Sequence, residues 1–199
     1  MRTALSLPLL ALMLAAALPS SLDAQHRRPG IREAGPEGRS GFWGVFSLGA
    51  GVEQVNFDND ALGYSDPLTR GAFAIRLGGT LSERLRLGGE MGAWINEDDG
   101  ITESVGNLML IAQFYPAERA GFFLKGGAGL GRSAITDDFD TLDEDYGVVG
   151  AVGAGWDIRL GRHVYLVPTV DFAAYGFNGD DTDYRERITT FGIGIAYAR

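Results

Sequence analysis

The chain has 199 residues, of which 45% are hydrophobic and 30 are glycine, and its formal net charge is −9 at pH 7. This negative charge argues against nucleic-acid binding, which depends on a basic surface. The absence of cysteine excludes disulfides, thiolate chemistry and a lipid-anchored cysteine. The chain opens on a pattern typical of a secretory signal peptide, residues 1–24, in which Arg2 precedes an apolar run over residues 4–17 and Ala24 ends a candidate cleavage site. The apolar run is too short to span a membrane as a helix.

Residues 25–40 mix glycine, proline and charged side chains without periodicity, which predicts a flexible arm. Arginines outnumber glutamates in this arm, which makes it mildly basic. Two interpretations are possible: a solvated tail without a partner, or a segment that binds one. The remaining residues, 41–199, contain no run of 18 consecutive apolar residues and therefore no spanning helix. Their number suits a single domain.

From Phe42 onward, large apolar side chains recur at every second position, which predicts β-strands. The first segment illustrates the pattern, since Phe46 and Leu48 alternate with Ser47 and Gly49. Eight such segments follow one another, at about 41–52, 70–80, 84–95, 104–115, 121–132, 146–158, 162–175 and 187–198. Pro168 cannot donate a ladder hydrogen bond, so we expect a bulge or a locally missing bond in the seventh strand.

The links between the predicted strands alternate between two lengths. Short links are predicted near residues 81–83, 116–120 and 159–161, and longer ones near 53–69, 96–103, 133–145 and 176–186. An even number of strands joined in this way places both ends of the sheet on the side of the short turns.

The second face of each strand is mostly glycine, alanine and serine, with a few charges. A sheet face in water would favour larger polar side chains, because glycine weakens a strand and covers nothing. Small residues suit the inside of a narrow eight-stranded barrel, and the bulky apolar face would then contact lipid. We therefore predict an all-β fold, a closed antiparallel eight-stranded transmembrane up-and-down β-barrel, since an open sheet edge cannot be satisfied in lipid.

Outward aromatic side chains support this orientation, because they are predicted to form two girdles at the membrane interfaces. One girdle lies near the short turns and the other near the opposite rim. The first comprises Phe42, Phe114, Phe122, Trp156 and Tyr197, and the second Phe73, Tyr146 and Phe172.

With these strands, girdles and the ending Phe191-Gly-Ile-Gly-Ile-Ala-Tyr197, the chain resembles the small eight-stranded outer-membrane proteins, namely the OmpA membrane domain, OmpX and the Opa-like adhesins. In that group an aromatic residue is usually the last one, whereas Ala198 and Arg199 follow here. The resemblance implies the outer membrane of a Gram-negative bacterium, with periplasmic termini, extracellular long links and a monomeric barrel. It also implies contact with lipopolysaccharide, and recognition of the last strand by the barrel-assembly machinery.

A set of charged residues is predicted to face the lumen: Arg76, Arg86, Glu90, Lys125, Asp157, His163 and Asp171. Arg76 and Glu90 lie at similar distances from their shared turn and could pair, as could Asp157 and His163. Buried charges are costly unless they are paired and hydrogen-bonded. A salt-bridged plug is therefore one interpretation, and a gate whose pairs rearrange to admit water or ions is the other.

The four long links contain 18 acidic residues and a single basic one, Arg185. Such links are either solvated, self-repelling loops or sites for divalent cations such as Ca²⁺ or Mg²⁺, although none has the spacing of an EF-hand. The candidate cation ligands are Asp98, Asp99, Asp137, Asp138, Asp140, Asp180, Asp181 and Asp183. The other acids of these links are Glu53, Asp58, Asp60, Asp66, Glu97, Glu103, Asp143, Glu144, Asp145 and Glu186.

Catalysis is not predicted, because the sequence has no Gly-x-Ser-x-Gly motif and no pair of histidines at metal-binding spacing. The two histidines, His26 and His163, are placed in the arm and inside the barrel, away from the outer leaflet. No cofactor is expected. The sequence therefore favours a structural or surface-interaction role for a rigid, plugged barrel that presents acidic loops to ions or extracellular proteins, with a narrow channel for ions or small solutes as the alternative.

Overall fold

The computed structural model describes residues 39–57, 63–118, 120–137, 141–178 and 183–199. The predicted signal peptide, most of the predicted arm and parts of three long links lie outside these ranges. In the described residues, no helix is long and apolar enough to cross a membrane.

Eight antiparallel strands form one closed sheet, as the alternation predicted. Each strand pairs with its neighbours in sequence, and β1 pairs with β8 to close the barrel. The strands are β1 (Phe42–Phe57), β2 (Leu68–Ser82), β3 (Leu85–Asp98), β4 (Ile101–Phe114), β5 (Phe122–Thr136), β6 (Thr141–Trp156, continued after one residue by Ile158–Arg159), β7 (Val164–Asn178) and β8 (Asp183–Ala198).

The strands are tilted relative to the barrel axis. A path of paired Cα atoms that starts at Gly44 and runs once around the barrel returns to β1 at Gln54, ten residues further along. The path passes through Leu77, Gly89, Leu110, Ala128, Gly150, Ala174 and Arg187. This displacement corresponds to a strand tilt of roughly 40° and leaves a lumen wide enough for side chains only.

The two faces of the sheet have the predicted orientation. Bulky apolar side chains such as Leu110, Leu130 and Val148 lie exposed on the outer surface, as do most of the predicted girdle aromatics. Inside, Trp43 and Trp94 are buried among the small residues and charges of the lumen. Exposed hydrocarbon over the whole circumference is unfavourable in water and matches the lipid-facing band of a membrane barrel.

Close strand-to-strand approach explains part of the glycine content. A Cβ atom on Gly49 would lie 2.1 Å from the Phe191 carbonyl oxygen, and one on Gly78 would lie 2.1 Å from the Leu87 carbonyl oxygen. Any side chain at these two positions would force neighbouring backbones apart. The narrow curvature of the barrel therefore depends on glycine there.

Pro168 interrupts the ladder between β6 and β7, and the predicted missing bond is confirmed. Gly155 lies opposite Thr169, and Ile158 lies opposite Leu166, but the pairing between these two points is absent. The register is the same on both sides of the gap, so the strand contains a gap rather than a bulge. Proline lacks the N–H group that would donate here.

The long links are shorter than predicted, which is a correction. The β3–β4 link is only the two-residue turn Asp99-Gly100, and both residues have positive φ angles, of 47° and 79°, as in the tight turns that favour hairpins. The strands continue past the apolar band because backbone pairing does not require apolar side chains. Glu53, Glu103 and Glu186, which the sequence placed in loops, therefore lie on strands β1, β4 and β8.

Candidate functional site

Four charged side chains from four strands meet in the middle of the lumen. Arg76 from β2 binds Glu90 of β3 (Nε to Oε2, 2.5 Å) and Asp171 of β7 (Nη2 to Oδ2, 2.7 Å). Lys125 from β5 binds the same two carboxylates, with Nζ 2.5 Å from Oε2 of Glu90 and 3.0 Å from Oδ1 of Asp171. We call this group the central ion-pair layer. It contains two positive and two negative charges, and it joins opposite walls of the barrel.

Burial makes this layer dependent on complete pairing. Arg76, Glu90 and Lys125 are almost fully buried, and each removed partner would leave an uncompensated charge. The predicted Arg76–Glu90 pair is present. The ion pairs of Arg76 with Asp171 and of Glu90 with Lys125 cross the lumen. These strands are not neighbours in the sequence, so the sequence does not predict these pairs.

A cavity of about 60 Å³ adjoins the central ion-pair layer. Its lining includes Arg76, Ser47 and Asn107, and each of these carries a buried polar atom without a hydrogen-bond partner in the described part of the chain: Nη1, Oγ and Oδ1. A polar cavity of this size accommodates a few water molecules. The described side chains therefore occupy much of the lumen, and this cavity has room for a few water molecules.

A second charged group lies nearer the short turns. Arg86 of β3 donates from Nη1 to the Tyr115 hydroxyl (2.7 Å) and to Oδ2 of Asp157 (3.1 Å), and the Tyr115 hydroxyl donates to the same Asp157 oxygen (2.9 Å). Burial, together with the Asp157 carboxylate, raises the pKa of Tyr115 above its ordinary value, so the phenol stays protonated and donates. Tyr115 is not among the predicted lumen residues, although it continues the inward alternation of Ile111 and Gln113.

The predicted pairing of Asp157 with His163 is replaced by other contacts. Asp157 accepts from Arg86 and Tyr115, whereas Nδ1 of His163 donates to the Ala198 carbonyl oxygen at 3.1 Å. The reason is that the Arg86 guanidinium and the Tyr115 hydroxyl both donate to Oδ2 of Asp157 inside the barrel, and a hydrogen bond from a charged donor is strong. His163 instead lies at the end of the barrel, against the ring of Tyr197.

Arg39, the first described residue of the predicted arm, covers the lumen at the short-turn end. Its guanidinium lies 3.7 Å from the centre of the Tyr115 ring. It also donates to the carbonyl oxygens of Glu118 (2.7 Å), Glu83 (3.3 Å) and Ala120. One side chain of the arm thus joins the β2–β3 turn to the β4–β5 link.

Glu53 and Glu186 are buried in the lumen at the opposite end, with 4% and 3% of their surfaces exposed. The sequence had assigned both to solvated loops, so this placement is a second correction. Their inward positions follow from the alternation, which continues unbroken from Ser47 along β1 and from Gly192 along β8. The alternation of inward and outward positions therefore includes Glu53 and Glu186. It is hard to recognise in the sequence because the residues around these two glutamates are polar.

The candidate cation ligands of the long links are only partly described. Asp98, Asp99, Asp137 and Asp183 lie in the described ranges, and Asp138, Asp140, Asp180 and Asp181 lie outside them. Over those ranges, no three histidine, aspartate or glutamate side chains are grouped as a ready ligand set for a metal ion.

A closed eight-stranded sheet with an apolar outer surface and a charged, filled lumen defines a transmembrane β-barrel. The chain belongs to the family of the outer membrane protein beta-barrel domain, whose model matches residues 7–198. This match confirms the predicted class, and the family is one of the outer membrane of Gram-negative bacteria. None of the curated proteins compared with the chain matches it significantly.

Solved structures of small outer-membrane barrels are similar to this chain. Neisserial surface protein A is 16% identical, with 82% of this chain and 100% of that chain covered and a TM-score of 0.57. Ail, the attachment invasion locus protein of Yersinia pestis, is 12% identical over 79% of this chain and 99% of its own, with a TM-score of 0.49. OprG from Pseudomonas aeruginosa is 12% identical over 81% and 98%, with a TM-score of 0.44. At such identities the likeness concerns the fold alone.

Proposed function

We propose that the protein is a closed barrel with a structural or surface-interaction role rather than a transporter or an enzyme. The observation that carries this proposal is the central ion-pair layer, in which Arg76 and Lys125 each bind both Glu90 and Asp171 across the lumen. The Arg86–Tyr115–Asp157 group and Arg39 add two further closures towards the short turns. Side chains that are paired in this way would block hydrated solutes in the described part of the lumen.

The orientation that fits this role has both termini in the periplasm and the acidic links outside the cell. The links would then meet lipopolysaccharide, divalent cations or extracellular proteins, and the last strand would be recognised by the barrel-assembly machinery. The support is the charge distribution, since acidic residues dominate one set of links. A strongly acidic surface also keeps neighbouring barrels from associating, which favours a monomer.

Single cysteines test this orientation cleanly, because the chain contains none. We expect a cysteine at Asp66, in the exposed β1–β2 link, to react in intact cells with a maleimide that does not cross membranes. A cysteine at Glu83, in the exposed β2–β3 turn, should react only after the outer membrane is permeabilised. The reverse pattern would invert the proposed orientation.

A narrow channel is the second candidate, and the cavity of about 60 Å³ beside the central ion-pair layer is the observation that favours it. If Arg76 or Lys125 exchanged partners, water in this cavity could join the two ends of the lumen. Eight strands leave little space for an aqueous pore, so only ions or very small solutes would pass.

Planar-bilayer recording separates the two candidates. We expect the purified wild-type barrel to give no steady ion conductance, because its lumen is closed by complete ion pairs. Glu90→Ala removes a shared partner of Arg76 and Lys125, whereas Glu118→Ala removes an exposed partner of Arg84 and is the matched control. Steady conductance in the wild type would contradict the closed barrel. Absence of conductance in both the wild type and Glu90→Ala would rule out the gate.

A further inference from the structure

Three glutamates face one another at the outer end of the lumen, and we call them the outer glutamate cluster: Glu53 on β1, Glu103 on β4 and Glu186 on β8. The Cα atom of Glu53 is paired with that of Ile188, so Glu186 lies two residues along the same face of the neighbouring strand. Side chains in this diagonal relation are within reach of one another. Glu103 contributes a third, half-buried carboxylate from the opposite wall.

Two carboxylate oxygens of this cluster are buried and have no hydrogen-bond partner among the residues that the structure describes. These oxygens are Oε1 of Glu53 and Oε2 of Glu186, and the two residues are only 4% and 3% exposed. A buried carboxylate oxygen without a partner is unfavourable. A positive group held between the two side chains, either a proton or a cation, would compensate these oxygens.

Three arginines near this end of the barrel already have other partners. Arg70 donates to Asn96 (2.6 Å), Arg132 pairs with Glu144 (2.6 Å), and Arg187 donates to Gln54 (3.1 Å) and covers the ring of Tyr64. Further acidic residues lie exposed at this end of the described barrel, namely Asp66, Asp98, Asp99 and Asp183. Their negative charge attracts cations towards it.

We propose that the outer glutamate cluster binds a hydrated divalent cation of the Mg²⁺ type, held by Glu53 and Glu186. In the described residues no three side chains already form a ligand set, which argues against a cation stripped of its water. Mg²⁺ typically keeps several water molecules and is held by one or two carboxylates. Glu103 adds negative charge opposite the two ligands.

This site lies at the junction of the first and last strands. Because Glu53 is on β1 and Glu186 is on β8, a shared cation would hold together the outer end of the pairing that closes the barrel. The proposal is independent of whether the lumen conducts, since the central ion-pair layer contains none of these glutamates.

Calorimetric titration of the folded, chelator-treated barrel with MgCl₂ at pH 8 tests the proposal, together with urea unfolding with and without millimolar Mg²⁺. We expect the wild type to bind about one Mg²⁺ per chain and to unfold at higher urea when Mg²⁺ is present. Glu53→Gln and Glu186→Gln are each expected to weaken binding by about tenfold or more and to remove the Mg²⁺ effect on unfolding. Glu97→Gln, an exposed acid on β3, is the matched control and should behave as the wild type.

Several outcomes would overturn the site. The wild-type measurement comes first. If titration with Mg²⁺ gives no heat and Mg²⁺ does not change the urea concentration of unfolding, the proposed cation site is excluded, whatever the variants show. Stabilisation by lower pH alone would show that protons neutralise the cluster instead. An equal loss in Glu97→Gln and Glu53→Gln would show diffuse attraction by the outer surface. Folding of each variant is checked by heat-modifiable electrophoresis, and Glu103→Gln, with a smaller expected loss, replaces any variant that does not fold.

Discussion

Glu90→Gln is expected to lower the free energy of unfolding of the barrel by about 3–5 kcal/mol. The substitution preserves the shape of the side chain but removes a charge shared by Arg76 and Lys125, both of which are nearly fully buried. Asp171 would then face two positive charges alone. Reversible urea unfolding in lipid vesicles, followed by tryptophan fluorescence, measures the difference.

The control for this prediction is Glu118→Gln, because Glu118 forms a single ion pair with Arg84 at 3.0 Å and both side chains are about half exposed. Pairs of this kind contribute about 0–1 kcal/mol. If the two variants were equally stable, the central ion-pair layer would not be the stabilising group that its burial implies.

Leu110→Arg is expected to destabilise the barrel in a bilayer by about 2–4 kcal/mol, because a charge would enter the middle of the lipid-facing band. Leu110 is 70% exposed, and it lies four residues from Phe114 of the girdle at the short-turn end. In a water-soluble barrel, an arginine at such an exposed position would have little effect. Unfolding in vesicles, compared with unfolding of the wild type, measures the loss.

Leu142→Arg provides the matched comparison. Leu142 is 57% exposed on β6, one residue from the end of the strand at the acidic links. Since the cost of a lipid-facing arginine falls to about 0–1 kcal/mol near the interface, this variant should be close to the wild type. Equal effects at the two positions would contradict the proposed position of the membrane.

The faces of the strands were predictable because each residue's side is determined by its position within its own strand. Leu48 and Ser47 point to opposite faces whatever the rest of the chain does. The Arg76–Glu90 pair was predictable for a related reason, since both residues are equally distant from one short turn. Closure and lipid exposure followed from the size of the side chains on each face.

Contacts across the lumen could not be predicted in this way. Whether Asp171 meets Arg76, or Asp157 meets Arg86, depends on the tilt of the whole sheet, which no single strand encodes. The predicted ends of the strands were also wrong, because the apolar alternation stops before the hydrogen-bonded ladder does. The sequence therefore predicts solvated loop positions for Glu53 and Glu186, which are buried on strands.

The pairing of β1 with β8 has a consequence for how the barrel forms. It joins Trp43 to Ala198, residues from the two ends of the barrel sequence, so this contact carries the largest loop-closure entropy in the sheet. Until it forms, two strand edges have unsatisfied amides that lipid cannot solvate. Membrane insertion and completion of the sheet are therefore expected to occur as one concerted event, and a chain that lacks its last strand should fail entirely rather than yield a smaller barrel.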